Sequence, residues 1–236
     1  MSLSNNFPTV SPTLNLNFAA AGRLDSRVTF TRSSTATYVN QIGLIQSAAV
    51  NEPRFDYNPS TLAARGLLIE EQRTNLLTYS EDFSNAAWTT TAVTISANQT
   101  TAPDGTVTAD KMIGKSSYPG TSWLLQAKTF SAATVYTFSL FVKQSNLRYC
   151  YLGTDNSTNR VVFFDLQTGT VGNAATGYSG SIVALANGWY RCIVTFDTAV
   201  ASYANQVLFG QSATANSVTY TGNDSDGTFI WGAQLE

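Results

Sequence analysis

The segment VYTFSLFVK, residues 135–143, carries the alternation that decides the fold. Every second residue in it is apolar and the residues between are mostly polar, so one face of an extended chain is suited to a core. That face consists of Tyr136, Phe138, Leu140 and Val142. The segment WYRCIVTF, residues 189–196, alternates in a similar way. Both segments predict β-strands that pack on a core.

From about residue 78 onward, short strand-like segments follow one another, with Gly, Asn and Asp turn-formers between them. No stretch has a helical period, and no repeat of fixed length is present. Many short strands at such spacing are typical of an antiparallel β-sandwich or jelly roll, which we predict for residues 78–236. The predicted strands are 91–95, 106–113, 122–130, 134–143, 147–153, 160–166, 180–185, 189–197, 204–210, 216–220 and 228–235.

Residues 1–77 have a different character, because their apolar islands are short and prolines separate them. The alternation in LNLNF, residues 14–18, and in VTF, residues 28–30, predicts short half-buried strands. We therefore expect an extended, strand-poor N-terminal module, which assembles and attaches the protein. Its apolar side chains should be buried by the following domain or by other copies of the chain. The side chains expected to be buried are those of Phe18, Phe30, Tyr38, Leu44, Phe55, Leu68 and Leu76.

Composition excludes several classes of function. Charged residues make up only 12% of the 236 residues and the net charge is −2, so the chain lacks the basic face that nucleic-acid binding requires. No apolar run approaches the roughly 18 residues of a membrane span. The first residues lack the basic and apolar regions of a secretory signal, so we expect release by another route, such as lysis of a host cell.

The segments TFTRSSTATYV, residues 29–39, and GLLIEEQRTNLL, residues 66–77, carry a family resemblance. The same pattern continues with GLI at 43–45, PRFDY at 53–57 and SEDFSNAAW at 80–88. With these segments, residues 14–88 closely resemble a module that recurs in structural proteins of tailed phages and prophages. Those proteins include head spikes or head fibres, tail fibres and minor tail proteins.

The remainder of the chain resembles the carbohydrate-binding β-sandwich group, which is common in the same proteins. The matching segments are APDGTVTADKM (102–112), VYTFSLFVKQS (135–145), NGWYRCIVTF (187–196) and GTFIWGAQLE (227–236). This match is to a superfamily, and a shared fold assigns no particular sugar.

Together the two resemblances imply a virion protein at the surface of the phage particle, made in the host cytoplasm. Such a fibre or spike mediates adhesion to host-surface glycans or decorates the particle. Its implied partners are other capsid or tail proteins, and fibres and spikes of this group are usually homotrimers. The alternatives are a capsid-stabilising decoration protein without a glycan ligand and a polysaccharide depolymerase.

Sugars are bound by aromatic rings that stack on the pyranose and by amides and acids that bond its hydroxyls. The segments YPGTSW, residues 118–123, and LRYCYLG, residues 147–153, place such groups near one another in the sequence. The competing interpretation is that the rings belong to the core, which aromatic residues dominate in sandwiches. The candidate glycan-binding residues are Trp123, Arg148, Tyr149, Tyr151, Asp155 and Asn156.

The loop GNDSDGT, residues 222–228, offers oxygen ligands from Asn223, Asp224 and Asp226. Calcium takes several oxygen ligands in flexible geometry, and sandwiches of the resembling group often carry a structural calcium. The same letters are also ordinary turn chemistry. The loop is thus either a turn or a calcium site, and no other cofactor is expected.

The chain offers no evident catalytic set. It contains no histidine, so a Ser-His or Cys-His system is excluded. The carboxylate doublets Glu70–Glu71 and Glu81–Asp82 are adjacent residues, which point to opposite faces of a strand. We therefore predict a protein that is not an enzyme.

Cys150 and Cys192 are the two cysteines, and each lies in a strand-like segment. We expect two small buried side chains on neighbouring strands. A disulfide between them is the alternative, and the sequence does not decide between the two.

Overall fold

The structure is a computed structural model that describes residues 16–120 and 122–236. The chain divides into two compact units, Met1–Glu70 and Glu71–Glu236. The sequence predicted a boundary after residue 77. In the structure, residues 71–77 group with the second unit instead of the first. Asn75 and Leu76 explain this grouping, because the Asn75 amide donates to the Ala233 carbonyl and the Leu76 N–H donates to the Leu235 carbonyl.

The N-terminal unit, as described from residue 16, contains one short helix and two β-hairpins. Helix α1 is Phe18–Ala21, and the strands are β1 (Ala36–Val39), β2 (Ile45–Ala48), β3 (Phe55–Tyr57) and β4 (Ala64–Leu67). β1 pairs with β2 and β3 pairs with β4, both antiparallel. The strands predicted from residues 14–18 and 28–30 are wrong in their described part, since Phe18 begins the helix and 28–30 is irregular. Leu14 lies outside the described residues.

The interior of this unit is polar. Its large apolar side chains are half-buried or exposed, whereas Arg54 and Asp56 are buried. Of the side chains expected to be buried, Leu76 is exposed and the other six are half-buried within the single chain. Hydrogen bonds therefore hold the described part of this unit together more than apolar packing does.

The second unit is a β-sandwich of twelve strands. They are β5 (Thr89–Thr91), β6 (Val93–Thr100), β7 (Ala109–Gly114), β8 (Trp123–Ala127), β9 (Val135–Gln144), β10 (Tyr149–Gly153), β11 (Val161–Asp165), β12 (Thr170–Ala174), β13 (Tyr178–Ala184), β14 (Trp189–Asp197), β15 (Gln206–Ser212) and β16 (Gly227–Leu235). The helical content of the described part of this unit is a single 3-10 turn, Ala186–Gly188. None of the helices in the described residues has the length and apolar character needed to cross a bilayer.

Two six-stranded sheets form the sandwich. Sheet I has the strand order β12-β11-β10-β15-β8-β5, and sheet II has the order β13-β14-β9-β16-β7-β6. All of their strand pairs are antiparallel. The prediction of an all-β, antiparallel sandwich is therefore confirmed.

The core lies between the two sheets and follows the alternation read from the sequence. Side chains from the predicted apolar face, Phe138, Leu140 and Val142, are almost fully buried there. Phe83 and Trp88 from the segment SEDFSNAAW also belong to this core, with ring centroids 5.1 Å apart. The end of the phage-like segment is therefore part of the sandwich and not of the N-terminal unit.

Two strand predictions are wrong in an informative way. Residues 167–179, between two predicted strands, contain β12, an edge strand at Thr170–Ala174 that buries none of its side chains. Such a strand shows no apolar alternation. Residues 216–220, predicted as a strand, have no ladder partner and instead lie across the outer face of sheet I.

Cys150 and Cys192 are buried, as expected, but they do not lie on neighbouring strands. Cys150 is on β10 of sheet I and Cys192 is on β14 of sheet II, and both are free thiols in the core between the sheets. Burial, together with the neighbouring Cys150, raises the pKa of the Cys192 thiol well above its ordinary value. Both cysteines therefore act as small buried side chains, and the Cys192 thiol has little thiolate character.

Candidate functional site

The outer face of sheet I carries most of the candidate aromatic residues. Along β10, Cys150 and Leu152 point into the core, so Tyr149 and Tyr151 point outward. Tyr151 lies opposite Phe163 on β11 and Gly210 on β15. The sequence correctly places the two tyrosines on one face, but their surroundings differ.

Tyr151 is fully buried and does not face solvent. Its ring lies over Gly210, where an added Cβ would come within 2.0 Å of the ring Cζ. Its hydroxyl donates to Asn156 Oδ1 at 2.6 Å and to the Val218 carbonyl at 3.2 Å. Burial raises the pKa of Tyr151 far above its ordinary value, so the hydroxyl stays protonated. Tyr151 is thus a packed residue and cannot stack on a sugar.

Trp123 belongs to the same packed patch. It is half-buried on β8 against an outer apolar cluster. That cluster consists of Tyr151, Val161, Phe163 and Leu208, with Leu125 and Val218 packed against it.

The segment 213–226, between β15 and β16, covers this patch. Its Asn216 side chain accepts the Asn173 N–H at 2.7 Å, which ties the segment to β12. Farther along, Thr221 accepts the N–H of Gly120 at 3.1 Å. Between these two ties, the Val218 carbonyl meets the Tyr151 hydroxyl. The sequence missed this cover, because VTY in residues 218–220 has the composition of a strand.

A groove of about 160 Å³ remains open beside this cover, and we name it the Tyr149 groove. Tyr149 and Phe163 supply its aromatic rings, and Asp165, Thr170 and Asn216 supply its polar groups. Asp165 lies directly opposite Tyr149 in the β10–β11 pair, so both side chains lie on the outer face. Asn216 has φ +53°, a left-handed conformation that asparagine tolerates better than most residues. The sequence signal for Asp165 and Asn216 was weak, since both read as turn residues.

An ion pair holds the wall of the Tyr149 groove. Arg148 donates to both carboxylate oxygens of Asp165, at 2.8 and 2.6 Å, and its guanidinium lies 5.0 Å from the centroid of the Tyr149 ring. The hydrogen bond from Arg148 holds the pKa of the Asp165 carboxyl well below its ordinary value, and the backbone N–H groups of residues 167 and 168 add to this effect. The paired fork geometry fixes both side chains.

Asp155 and Asn156 lie at the opposite end of β10 from Arg148 and Tyr149. The four residue steps from Tyr149 to Gly153 alone span about 13 Å. There the Asp155 carboxylate accepts from Arg160 at 2.8 Å and the Asn156 amide oxygen accepts from Tyr151. Of the six candidate glycan-binding residues, only Tyr149 therefore lines the open groove, and Arg148 lies beside it through its contacts with Asp165 and the Tyr149 ring.

The three candidate calcium ligands do not converge. Asn223 donates its amide to Asp226 at 2.7 Å and accepts the Asp226 N–H, which is an Asx turn. The Asp224 carboxylate accepts from the Ser116 hydroxyl and, at 3.2 Å, from the Ser116 N–H. Within residues 16–120 and 122–236, no group of three or more Asp, Glu, Cys or His side chains is arranged to hold a metal ion. A bound cation would have to displace the existing hydrogen bonds.

The two carboxylates of each doublet have different surroundings and do not form a catalytic pair. Glu70 pairs with the buried Arg54 at 2.6 Å, and Glu71 pairs with Arg73 at 3.0 Å. Asp82 accepts from the Ser84 hydroxyl at 2.7 Å. Burial, and then the charge of Asp104, raises the pKa of Glu81.

No family model and no curated protein matches the chain. Solved structures that are similar to it include the enzymatically active domain of tailspike protein 4 of bacteriophage CBA120, with a TM-score of 0.37 and 14% identity over 68% of this chain and 21% of that one. The CBM22-1–GH10 modules of an endo-1,4-β-D-xylanase of Clostridium thermocellum, complexed with xylohexaose, match with a TM-score of 0.36 and 11% identity over 69% and 27%.

A third similar structure is a sugar-binding protein of Bacteroides thetaiotaomicron VPI-5482, with a TM-score of 0.34 and 13% identity over 69% of this chain and 93% of that one. The chain thus spans about a fifth and a quarter of the length of the first two. Similarities this low carry no inference about the activity of this chain.

Proposed function

We propose that this protein is a structural component of a tailed-phage particle and that its sandwich attaches the particle to host-surface glycans. The observation that carries the proposal is the Tyr149 groove, which combines aromatic rings with a carboxylate and an amide on the outer face of sheet I. The phage resemblance of residues 14–88 supports the location on a virion.

The groups in the Tyr149 groove suit a neutral sugar ring. Arg148 is fixed by Asp165 and lies against the Tyr149 ring, so this ring can stack on a pyranose with little loss of side-chain freedom. Asn216 uses its amide oxygen on the Asn173 N–H, which leaves the amide NH₂ to donate to a sugar hydroxyl. The Asp165 carboxylate accepts from Arg148 through both oxygens, and a carboxylate has enough lone pairs to accept a sugar hydroxyl as well.

The N-terminal unit is proposed to assemble and anchor the protein as a homotrimer that contacts other virion proteins. Ile69 and Val50 are apolar and largely exposed in the single chain, whereas the buried apolar residues described there, Ala48 and Pro59, are small. Such a unit gains little from its own core, so contact with other chains would add burial that the single chain lacks.

Binding without cleavage is the proposed activity. In the Tyr149 groove the carboxylate is Asp165, and its lowered pKa keeps it ionised and paired with Arg148, so it is poorly suited to donate a proton to a leaving group. A depolymerase would need a second carboxylate on the other side of the scissile bond.

A glycan-array screen with the full chain tests the proposal. We expect binding to one or more bacterial surface oligosaccharides, a loss of at least about tenfold in affinity in Tyr149→Ala, and no release of reducing ends. Tyr118→Ala removes an exposed tyrosine outside the groove and serves as the matched control.

Failure to bind any oligosaccharide would favour the decoration protein without a glycan ligand. Release of reducing ends that disappears in Glu81→Gln would favour the depolymerase. Either result would overturn the proposed function.

A further inference from the structure

The N-terminal unit contains a second and larger groove, of about 540 Å³, which we name the Tyr38 groove. Its volume lies within the range typical of sites that bind small ligands. The groups used below are the rings of Tyr38, Phe55 and Tyr57, the amides of Gln41 and Gln46, and the carboxylate of Glu52.

The strand registers explain why these side chains meet. Tyr38 on β1 lies directly opposite Gln46 on β2, so both point to the same side of that hairpin. On β3, Phe55 and Tyr57 share one side, because successive side chains of a strand alternate. Asp56 between them points the other way and is buried.

Buried polar contacts fix the walls of the Tyr38 groove. Asp56 accepts the Val39 N–H at 2.9 Å, and Arg54 donates to the Thr37 carbonyl at 2.9 Å, so β3 is held against β1 on both sides of Tyr38. The turn after β1 is closed by Asn40, whose amide oxygen accepts the N–H groups of residues 42 and 44. The groove is therefore pre-organised by the polar interior of the unit.

The polar groups of the groove are available to a ligand. The hydroxyls of Tyr38 and Tyr57 and the amide of Gln41 make no hydrogen bond to the described part of the chain. Burial, and then the charge of Glu52, raises the pKa of Tyr38, so its hydroxyl remains a donor at neutral pH. Glu52 uses one oxygen on the Ala49 N–H, and its second oxygen is open.

The charge and spacing of the groove restrict the ligand. Among its lining residues there is no lysine or arginine, so an anionic ligand would have no cation to pair with. In the described residues, Tyr38, Phe55 and Tyr57 form no aromatic pair with one another, so they do not close into the tight cage that binds quaternary ammonium groups. Separated rings with hydroxyls, amides and one carboxylate match the alternating apolar faces and hydroxyl edges of a saccharide.

We propose that the Tyr38 groove is a second saccharide site, which binds a neutral oligosaccharide independently of the Tyr149 groove. A chain with two sites would bind a repeating surface polysaccharide with higher avidity than either site alone. The inference goes beyond the proposed function, since it concerns the other unit and does not require the Tyr149 groove to bind.

The test uses the full chain with Tyr149→Ala as background, so that binding at the Tyr149 groove is weakened. An array of neutral and acidic oligosaccharides is screened first, and the best neutral ligand is then titrated by calorimetry. We expect one site per chain, an affinity about tenfold weaker after Tyr38→Ala, and no change after the control Tyr118→Ala. Gln46→Glu keeps the length of an exposed side chain of the groove and adds a charge. This variant replaces Tyr38→Ala in the test if Tyr38→Ala does not fold.

Loss of binding in Gln46→Glu or Tyr38→Ala with an unchanged circular dichroism spectrum supports the proposal. Unchanged binding in both variants, or preference for choline or for acidic sugars, overturns it. The absence of any saccharide binding, combined with a smaller assembly in Tyr38→Ala by light scattering, would show instead that the groove is an interface between copies of the chain.

Discussion

At the scale of single residues, Tyr149 and Tyr151 show how two identical side chains on one sheet face acquire different roles. The sequence places them on the same side of β10, and the structure agrees. Tyr151 lies under the 213–226 segment and over a glycine, whereas Tyr149 lies at the open end. Alternation alone does not reveal this difference, because the covering segment comes from a distant part of the chain.

We therefore predict that the two tyrosines differ in how much each contributes to the stability of the fold. Tyr151→Ala should lower the free energy of unfolding by about 3–5 kcal/mol, because it empties a packed site and removes two hydrogen bonds. Tyr149→Ala should lower it by less than about 1 kcal/mol. Urea unfolding of both variants measures the difference, and equal losses would contradict the assignment of Tyr149 to a binding groove.

The Arg148–Asp165 pair makes a second prediction at this scale. The carboxyl of Asp165 has a lower pKa in the folded protein than in the unfolded chain, so it stabilises the fold above its unfolded pKa and loses this effect as pH falls. The stability difference between the wild type and Asp165→Asn should thus be largest near neutral pH. It should shrink as the pH is lowered below about 4.

Urea midpoints of the two proteins across this pH range provide the measurement. The comparison separates the effect of Asp165 from that of the buried Asp110. Burial raises the pKa of Asp110, so this residue lowers the stability of the fold as the pH rises. A difference that stays constant with pH would show that the pair does not stabilise the fold through its charge.

At the scale of elements, the sequence predicts the central strands well and the edges poorly. β9 and β14 were correct because they are inner strands of sheet II with one face packed on the core, so their apolar alternation is pronounced. β12 was missed because it buries none of its side chains, and residues 216–220 were misread because apolar residues can face a sheet without joining it. The candidate glycan site was therefore predicted only in part, since Tyr149 lines the groove and Arg148 lies beside it.

The 213–226 segment allows a test of the calcium hypothesis. Asp224 accepts from the Ser116 side chain and backbone, which holds down the pKa of its carboxyl and ties the segment to the chain after β7. We predict that Asp224→Ala and Ser116→Ala each destabilise the protein modestly and that the double variant loses less than their sum.

Thermal unfolding of the three variants in EDTA and in calcium completes this test. We expect the same coupling in both solutions, because the partner of Asp224 is Ser116. A transition that calcium raises in the wild type and not in Asp224→Ala would instead identify a metal site.

At the scale of the whole molecule, the two units are stabilised in different ways. The sandwich has a continuous apolar core between its sheets, whereas the N-terminal unit buries Arg54 and Asp56 and exposes Ile69. Assembly with other copies would supply the apolar burial that the N-terminal unit lacks.

We predict that the full chain is a trimer and that Ile69→Asp weakens it. A charge at an apolar contact between chains is costly because burial removes its hydration. Val200→Asp, at an equally exposed apolar position of the sandwich, should leave the assembly unchanged. Light scattering at several concentrations measures the effect, and a monomeric wild type would contradict the prediction.

Of the proposals made for this protein, glycan binding at the Tyr149 groove matters most for its function. The most direct measurement is amide chemical-shift mapping of the isotope-labelled full chain during titration with the oligosaccharide selected on the array. We expect saturating shifts at Tyr149, Phe163, Asp165 and Asn216 and small shifts at the buried Tyr151. Unperturbed signals at these four residues, while the same oligosaccharide binds elsewhere or not at all, would contradict it.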